Sequence, residues 1–130
     1  MLDTSVAIPL RESDAVTLQR VSDLNDDLLI SAVTRVELEN GVYRDIKLAE
    51  RRRAMLDLML ESVLVIPFDD DCAMVFGRIV AQLGWSRPKT IDRMIAATAI
   101  VSDAPLVTMN GKDFRDIPGL KLVVWETPVL

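Results

Sequence analysis

Residues 90–114 read TIDRMIAATAIVSDAPLVTMNGKDF, which places a helical pattern directly before a strand pattern. Residues 90–102 have the length of a helix, and three alanines among them allow close packing against a sheet. Residues 105–108 are a short apolar run of strand length, and residues 111–117 then predict a turn or a short helix. A helix that is followed at once by a buried strand is typical of an α/β domain.

The same alternation of helical and strand patterns runs through the rest of the chain. Strands are predicted for four further apolar runs, at residues 1–4, 28–32, 63–67 and 120–125. Helices are predicted for four further periodic segments, at residues 13–24, 34–44, 47–62 and 69–83. Because strands that are separated by helices usually pair in parallel, the sequence predicts a central parallel sheet of four to five strands with helices on both faces. The length fits a single α/β domain, residues 1–130.

Histidine is absent from the sequence, and its absence excludes several classes of enzyme. A Ser-His-Asp triad, a Cys-His pair and a histidine-ligated zinc site all require this residue. The single cysteine, Cys72, can form no internal disulfide, and we expect it to be a buried core residue. Proton chemistry near neutral pH must therefore come from carboxylates, lysine, tyrosine or metal-bound water.

The net charge of −5 argues against a general basic surface for nucleic acid. It does not exclude a nuclease, because a bound divalent cation can invert the sign of a local acidic patch. No apolar run approaches the roughly 20 residues that span a bilayer, and the chain start lacks the pattern of a signal peptide. We therefore expect a cytoplasmic protein that makes no contact with a membrane.

Four acidic residues from distant parts of the chain are predicted to meet at one edge of the sheet. Asp3 and Asp113 each follow a strand, whereas Glu37 and Asp92 lie near the starts of helices. In a parallel sheet, the carboxyl ends of strands and the amino ends of helices share one edge, where ligands bind. Four carboxylates brought together there repel one another unless a cation lies among them. Oxygen ligands alone suit Mg²⁺ or Mn²⁺ rather than zinc.

Each acid also has a structural explanation of its own. Asp3 would cap the helix or turn that follows it. Glu37 stands three residues after Thr34, a spacing that fits a capping box. Asp92 would lie in the first turn of a helix, where a negative charge is favourable, and Asp113 lies in a Gly-Lys-Asp turn. The prediction of a metal site therefore depends on the four acids together.

Small polar residues and lysines accompany these acids in the sequence. Hydroxyl or amide groups that would orient the carboxylates or hold metal-bound water come from four residues, Thr4, Ser5, Thr108 and Asn110. Lys89, just before the helix of Asp92, and Lys112, beside Asp113, are candidates for contact with RNA phosphates. The alternative for both lysines is a purely solvated surface position.

Four segments of the chain resemble, in order and spacing, the sequence motifs of PIN-domain ribonucleases. They are LDTS at residues 2–5, TRVELENG at 34–41, IDRMIAATAI at 91–100 and LVTMNGKDF at 106–114. The last three are similar to the family patterns T-x-x-E-L-x-x-G, D-x-x-I-A-A-T-A and T-x-N-x-x-D-F. The chain departs from the pattern at Ser5, where many members have Asn, and at Asn110, where some carry a further acid. In length the chain resembles the VapC-type toxins of bacterial toxin–antitoxin pairs.

The resemblance implies a Mg²⁺-dependent endoribonuclease, with Mn²⁺ as a substitute ion. The catalytic residues and metal ligands would be the four acids, Asp3, Glu37, Asp92 and Asp113. RNA phosphodiester bonds would be cleaved by a metal-activated water. The resemblance also implies a homodimer that a cognate antitoxin protein holds inactive.

Three alternatives remain open on the sequence alone. A catalytically silent PIN-like module would keep the fold and bind a metal or a partner. A nuclease that acts on DNA or on particular nucleic-acid structures would use the same acids. A phospho-acceptor receiver domain has a similar length and a doubly wound sheet, but it needs an acidic pair after the first strand, where only Asp3 stands. It also has no use for Glu37.

Overall fold

Helices and short strands alternate along residues 1–127, the part of the chain that the computed structural model describes. The elements are, in chain order, α1 (Thr4–Arg11), α2 (Ala15–Leu24), β1 (Leu28–Ser31), α3 (Ala32–Arg44), α4 (Ala49–Leu60), β2 (Val63–Ile66), α5 (Asp70–Leu83), α6 (Thr90–Val101), β3 (Leu106–Thr108), a 3-10 turn (Gly111–Asp113) and β4 (Leu122–Val124). No helix within residues 1–127 is long and apolar enough to cross a membrane.

The strands pair in parallel, as predicted, but in two separate pairs. Strand β1 lies beside β2, with Leu28 opposite Val63, and β3 lies beside β4, with Leu106 opposite Leu122. Each of these strands falls inside its predicted segment. The expectation of one sheet of four to five strands was therefore too simple, because residues 1–127 contain two small two-stranded sheets.

The start of the chain connects the two sheets. The N–H of Leu2 donates to the carbonyl of Leu29 in β1 at 2.8 Å, and the N–H of Asp3 donates to the carbonyl of Val107 in β3 at 2.9 Å. Leu2 and Val107 also form an isolated parallel bridge. The predicted strand at residues 1–4 is thus reduced to this bridge, since Thr4 already begins α1. Asp3 is thereby fixed between the ends of β1 and β3.

Helix α1 was not predicted from the sequence, and it contains Pro9. Proline has no N–H to donate and normally interrupts a helix interior. The helix forms nevertheless because Val6 and Ala7 are fully buried in the core. Burial of apolar side chains offsets the missing backbone hydrogen bond.

Capping residues set the bounds of several helices. Asp14 accepts the N–H of Thr17 at 3.0 Å, so α2 begins at Ala15 rather than at the predicted residue 13. Asp69 likewise accepts the N–H of Cys72 at 3.0 Å, so Asp69 caps α5 instead of belonging to it. Helix α4 is two residues shorter at each end than the predicted segment 47–62. Cys72 itself is buried, as expected.

The two faces of the strands pack into two hydrophobic cores. Successive residues of a strand point to opposite faces, so Leu29 packs into one core and Ile30 into the other. Helices α5 and α6 cover the first face, where Ile95 is fully buried. Helices α1, α3 and α4 cover the second face, where Leu38 is fully buried. The prediction that helices lie on both faces is confirmed.

Candidate active site

Asp3 is a buried carboxylate that two hydroxyl groups hold in place. Its side chain is 3% exposed. Asp3 occupies the N-cap position of α1, yet its side chain makes no capping hydrogen bond. Instead, Oδ2 of Asp3 accepts the hydroxyl of Ser5 at 2.7 Å and the hydroxyl of Thr108 at 2.8 Å. The capping explanation for this side chain is therefore wrong.

Ser5 and Thr108 are themselves oriented by the backbone that follows β3. The Ser5 hydroxyl oxygen accepts the N–H of Met109 at 3.0 Å, and the Thr108 hydroxyl oxygen accepts the N–H of Asn110 at 3.0 Å. Each hydroxyl therefore accepts from the backbone and donates to Asp3. Asn110 contributes its backbone N–H to this network, and its side chain is exposed.

Glu37 lies one turn inside α3, and it does not belong to a capping box. The helix begins at Ala32, because the hydroxyl of the buried Ser31 accepts the N–H of Val33 and takes the capping role. Thr34 was expected to cap this helix and does not. Glu37 instead accepts the hydroxyl of Thr4 through Oε1 at 2.6 Å.

The pKa of Asp92 responds to the charges of the other three acids. Asp92 is half-buried in the first turn of α6, as predicted. The pKa of Asp92 is raised to about 6, first by burial and then by the negative charges of Asp3, Asp113 and Glu37. Charges act on a pKa in this way only when they lie near the group. The fold thus brings the four acids into one neighbourhood.

Asp113 is positioned by the tight turn after β3. Its N–H donates to the carbonyl of Asn110 at 3.0 Å within the 3-10 turn. Gly111 begins this turn and is buried, and a Cβ atom at this position would lie 2.8 Å from Cγ2 of Val124. Only glycine therefore allows the turn to pack this closely against β4 without displacing a neighbour.

The donor set fits a hard divalent cation better than zinc. The four acids offer only oxygen atoms, and the chain contains no histidine. Within residues 1–127, no three His, Cys, Asp or Glu side chains are placed to hold one ion as they stand. Mutual repulsion keeps ionised carboxylates apart, and a cation removes this repulsion. The chemistry of the donor set therefore matches Mg²⁺.

The two candidate lysines are exposed at the amino end of α6 and in the 3-10 turn. Lys89 directly precedes α6, and Lys112 directly precedes Asp113. Neither forms an ion pair with a residue in the described range 1–127. In contrast, the neighbouring Arg93 is buried and donates to the carbonyl of Gly84 at 2.7 Å.

Sequence reasoning missed the contribution of Thr34 to this site. Its hydroxyl lies 3.1 Å from the hydroxyl of Thr4, which holds Glu37. Residues three apart on a helix share a face, so the T-x-x-E spacing was a usable signal. It was interpreted as a capping box because Thr is also a common N-cap residue.

Comparison with known proteins identifies the family. The sequence pattern of the family described as "PIN domain" matches residues 1–120. The chain is 30% identical to "Ribonuclease VapC2" of Rickettsia felis, with 97% of each chain covered. It is also 30% identical to the "tRNA(fMet)-specific endonuclease VapC" of Shigella flexneri, again with 97% of each chain covered.

Solved structures give the same result for the fold. The VapBC2 complex of Rickettsia felis bound to a DNA fragment from its promoter contains a chain that superposes with a TM-score of 0.84. The sequence identity is 29%, over 97% of this chain and 98% of that one. A chain of the DNA-bound VapBC complex of Salmonella typhimurium also superposes with a TM-score of 0.84, at 28% identity and over 96% of both chains. The protein therefore belongs to the PIN-domain family and, within it, to the VapC ribonucleases of toxin–antitoxin systems.

Proposed function

We propose that this protein is a Mg²⁺-dependent endoribonuclease toxin that cleaves RNA phosphodiester bonds, with Mn²⁺ as a substitute ion. One observation carries the proposal. The pKa of Asp92 is raised to about 6, in part by the charges of Asp3, Asp113 and Glu37. A group of carboxylates that repel one another at a sheet edge is expected where a cation is to be bound. The membership of the VapC family adds the reaction class, because its named relatives are ribonucleases.

The four acids would hold the metal ion, and the fold prepares two of them. Hydroxyl donors fix Asp3 and Glu37 in single orientations. Asp92 and Asp113 would complete the ligand set from the start of α6 and from the turn after β3. When bound, the ion would supply a water molecule of lowered pKa and positive charge against the phosphoryl oxygens. An acid not fully engaged with the ion, Glu37 or Asp113, would accept the proton of that water.

Contacts with RNA would be local, because the chain as a whole is acidic. Lys89 and Lys112 are exposed beside the residues that carry Asp92 and Asp113, so they would bind phosphates next to the reacting bond. We expect their loss to weaken RNA binding and to reduce its dependence on salt. We do not expect it to change the affinity for Mg²⁺.

A cognate antitoxin and a second copy of the chain are the proposed protein partners. The structures of similar chains include toxin–antitoxin complexes from Klebsiella pneumoniae and Haemophilus influenzae, which match at TM-scores of 0.74 and 0.78. By this likeness, an antitoxin bound at the acidic edge would keep the enzyme inactive. The chain itself would form a homodimer.

Cleavage of defined nucleic acids tests the proposal. Initiator tRNA is the first substrate to try, because a relative with 30% identity is named for it. We expect the purified protein to cleave RNA in Mg²⁺, to stop in EDTA and to recover when Mg²⁺ or Mn²⁺ is added. Cleavage of DNA of the same sequence, with RNA left intact, would favour a DNA nuclease. Intact RNA and DNA in the presence of Mg²⁺ would favour a catalytically silent module.

A further inference from the structure

Trp85 is a large aromatic side chain on the surface between α5 and α6. It is 78% exposed, although tryptophan is highly buried on average in folded proteins. The other tryptophan of the chain, Trp125, is partly buried, and the guanidinium of Arg20 lies 5.7 Å from the centre of its ring. Most of the indole of Trp85 is thus accessible to a group from outside the chain.

The backbone on both sides of Trp85 is held by the first turn of α6. Nη1 of the buried Arg93 donates to the carbonyl of Gly84, directly before Trp85, at 2.7 Å. The hydroxyl of Thr90 donates to the carbonyl of Ser86, directly after Trp85, at 3.1 Å. The position of Trp85 is therefore fixed in advance, and a preorganised residue binds at a lower entropic cost.

Two cations follow Trp85 in the connection between α5 and α6. Arg87 and Lys89 are both exposed, and neither forms an ion pair with a residue that the structure describes. Between them, Pro88 occupies its favoured position in a tight turn, which the N–H of Thr90 closes by donating to the carbonyl of Arg87 at 3.2 Å. The connection therefore presents an aromatic ring and two positive charges on an ordered backbone.

This connection lies at the same end of α6 as the proposed metal site. Asp92 is in the first turn of α6, and the two bonds of Thr90 hold the connection against that turn. Because Thr90 and Asp92 are two residues apart, their side chains point to nearly opposite sides of a helix that is about 10–12 Å across. A group bound at Trp85 is therefore separate from the metal ligands, yet close enough to belong to the same RNA strand.

An aromatic ring beside positive charges has the chemistry that binds single-stranded nucleic acid. Unpaired bases stack on aromatic side chains, and Lys and Arg bind the phosphates between them. A base within a duplex is already stacked on its neighbours and does not reach such a ring. A protein interface is the alternative for an exposed tryptophan, but the cores of protein interfaces are depleted in charged residues. The neighbouring Arg87 and Lys89 therefore favour RNA.

We propose that Trp85 is a substrate-binding residue that stacks on an unpaired base of the RNA. The base belongs to a nucleotide beyond the cleaved bond, and Arg87 and Lys89 bind the phosphates next to it. Because every base has an aromatic face, this contact selects an unpaired nucleotide without selecting its sequence. The inference rests on the proposed ribonuclease activity, and it concerns binding of the RNA and not the chemical step.

The proposal predicts a change in the KM for RNA at constant kcat. Trp85→Ala removes the ring and should raise the KM by about 5- to 150-fold, the effect of losing one stacked base. Trp85→Phe keeps an aromatic face and should stay close to wild type. Trp85→Leu keeps an apolar side chain without the ring and should resemble Trp85→Ala.

Ile46→Ala provides the matched control. Ile46 is also an exposed apolar residue in a connection between helices, at 88% exposure, and Lys47 follows it directly. It lies beyond the carboxyl end of α3, whereas Glu37 lies near the amino end of that helix. Ile46→Ala should therefore leave the KM for RNA unchanged.

Abasic RNA tests the stacking contact directly. The probe is a single-stranded RNA of about 12 nucleotides that lacks one base at a time. Binding is measured in the Asp92→Asn background, which we expect to leave the RNA intact. Loss of the stacked base should weaken binding, and the same abasic RNA should show no further loss when Trp85→Ala is added. In a Trp125→Phe background, Trp85 is the single tryptophan, and stacking should quench its fluorescence.

The outcomes separate this inference from the proposed function. Cleavage of RNA by wild type with an unchanged KM in Trp85→Ala would overturn the inference alone. So would a wild-type KM in Trp85→Leu, or a change of oligomeric state in Trp85→Ala, which would assign the ring to a second copy of the chain. RNA binding that needs Trp85 but leads to no cleavage would overturn the proposed function alone. A wild-type protein that neither binds nor cleaves RNA would overturn both proposals.

Discussion

The carboxylate of Asp3 accepts the hydroxyl of Thr108 at 2.8 Å, although the two residues are 105 positions apart in the chain. This bond connects the start of α1 with the end of β3, and both groups are almost completely buried. A buried carboxylate requires donors, because an unsatisfied charge away from water is costly. The bond therefore stabilises the fold and orients an acid at the proposed metal site.

Removing this donor should destabilise the protein. Thr108→Val keeps the shape of the side chain and leaves Asp3 with fewer donors, which should lower the free energy of unfolding by about 1–3 kcal/mol. Urea unfolding in EDTA measures the change. Thr108→Ser keeps the hydroxyl, so its free energy of unfolding should fall much less. Equal losses in the two variants would show that the hydroxyl is unimportant and that the methyl contacts dominate.

The stability of the metal-free protein should fall as pH rises through about 6. The pKa of Asp92 is raised in the folded state to about 6, mainly by burial and then by the neighbouring acids. The folded state therefore holds this proton more tightly than the unfolded state, and the stability it contributes is lost as Asp92 ionises. Melting temperatures measured in EDTA between pH 5 and pH 7 should decline, and Asp92→Asn should show a smaller decline.

Other groups contribute to the pH dependence of stability with the opposite sign, so the comparison of wild type with Asp92→Asn isolates the contribution of Asp92. Hydrogen bonds from Thr17 and Cys72 lower the pKa values of Asp14 and Asp69, so their contributions are lost only on acidification. Burial lowers the pKa of the Met1 amine, whose deprotonation adds stability as pH rises. Identical pH dependence in wild type and Asp92→Asn would contradict the raised pKa of Asp92.

Mg²⁺ should stabilise the protein by relieving repulsion among the acids. A ligand that binds only the folded state at 100 times its Kd adds about 2.7 kcal/mol. We therefore expect the melting temperature in millimolar Mg²⁺ to exceed that in NaCl of equal ionic strength. Asp92→Asn should reduce the gain. A melting temperature that does not change with Mg²⁺ would count against the metal site.

Gly41 should be intolerant of a side chain, unlike another helical glycine. A Cβ at Gly41 would lie 2.7 Å from Nη1 of Arg11, whose buried guanidinium also donates to the carbonyl of Leu38 at 3.3 Å. A Cβ at Gly77 would have no neighbour within 4 Å. Both changes to alanine improve helix propensity by about 1 kcal/mol.

The difference between the two alanine variants therefore isolates the clash. We expect Gly77→Ala to be slightly more stable than wild type and Gly41→Ala to fall about 1–3 kcal/mol below Gly77→Ala, the usual range for overpacking. Chemical denaturation measures both. Equal stabilities would mean that Arg11 moves aside freely.

The parts of the fold that depend on local pattern could be predicted from the sequence. Apolar runs and helical periodicity located β1 to β4 and five of the α-helices within residues 1–127. Helix α1 escaped prediction, and Pro9 opposes a helix locally, whereas tertiary burial of Val6 and Ala7 overrides that preference. The two sheets are distinct because the first predicted strand is reduced to a one-residue bridge at Leu2, and no sequence pattern indicates this shortening.

The membership of the acidic group could be predicted, but its internal contacts could not. Chain order and topology were enough to suggest that Asp3, Glu37, Asp92 and Asp113 approach one another. The hydroxyl–acid bonds from Thr4 to Glu37 and from Thr108 to Asp3 join residues that are 33 and 105 positions apart, beyond any local pattern. The N-cap of α3 shows the same limit, since Ser31 and Thr34 are both suitable caps and the strand end selects Ser31.

Cleavage of RNA by Asp92→Asn, compared with Asp71→Asn, provides the sharpest test of the proposed catalytic site. Both acids lie in the first turn of a helix, so each change removes a similar interaction with the helix dipole. The charges of the other three acids raise the pKa of Asp92, whereas Asp71 is an exposed residue of α5. We predict that Asp92→Asn folds and loses cleavage in Mg²⁺, while Asp71→Asn cleaves like wild type. Full cleavage by folded Asp92→Asn would contradict it.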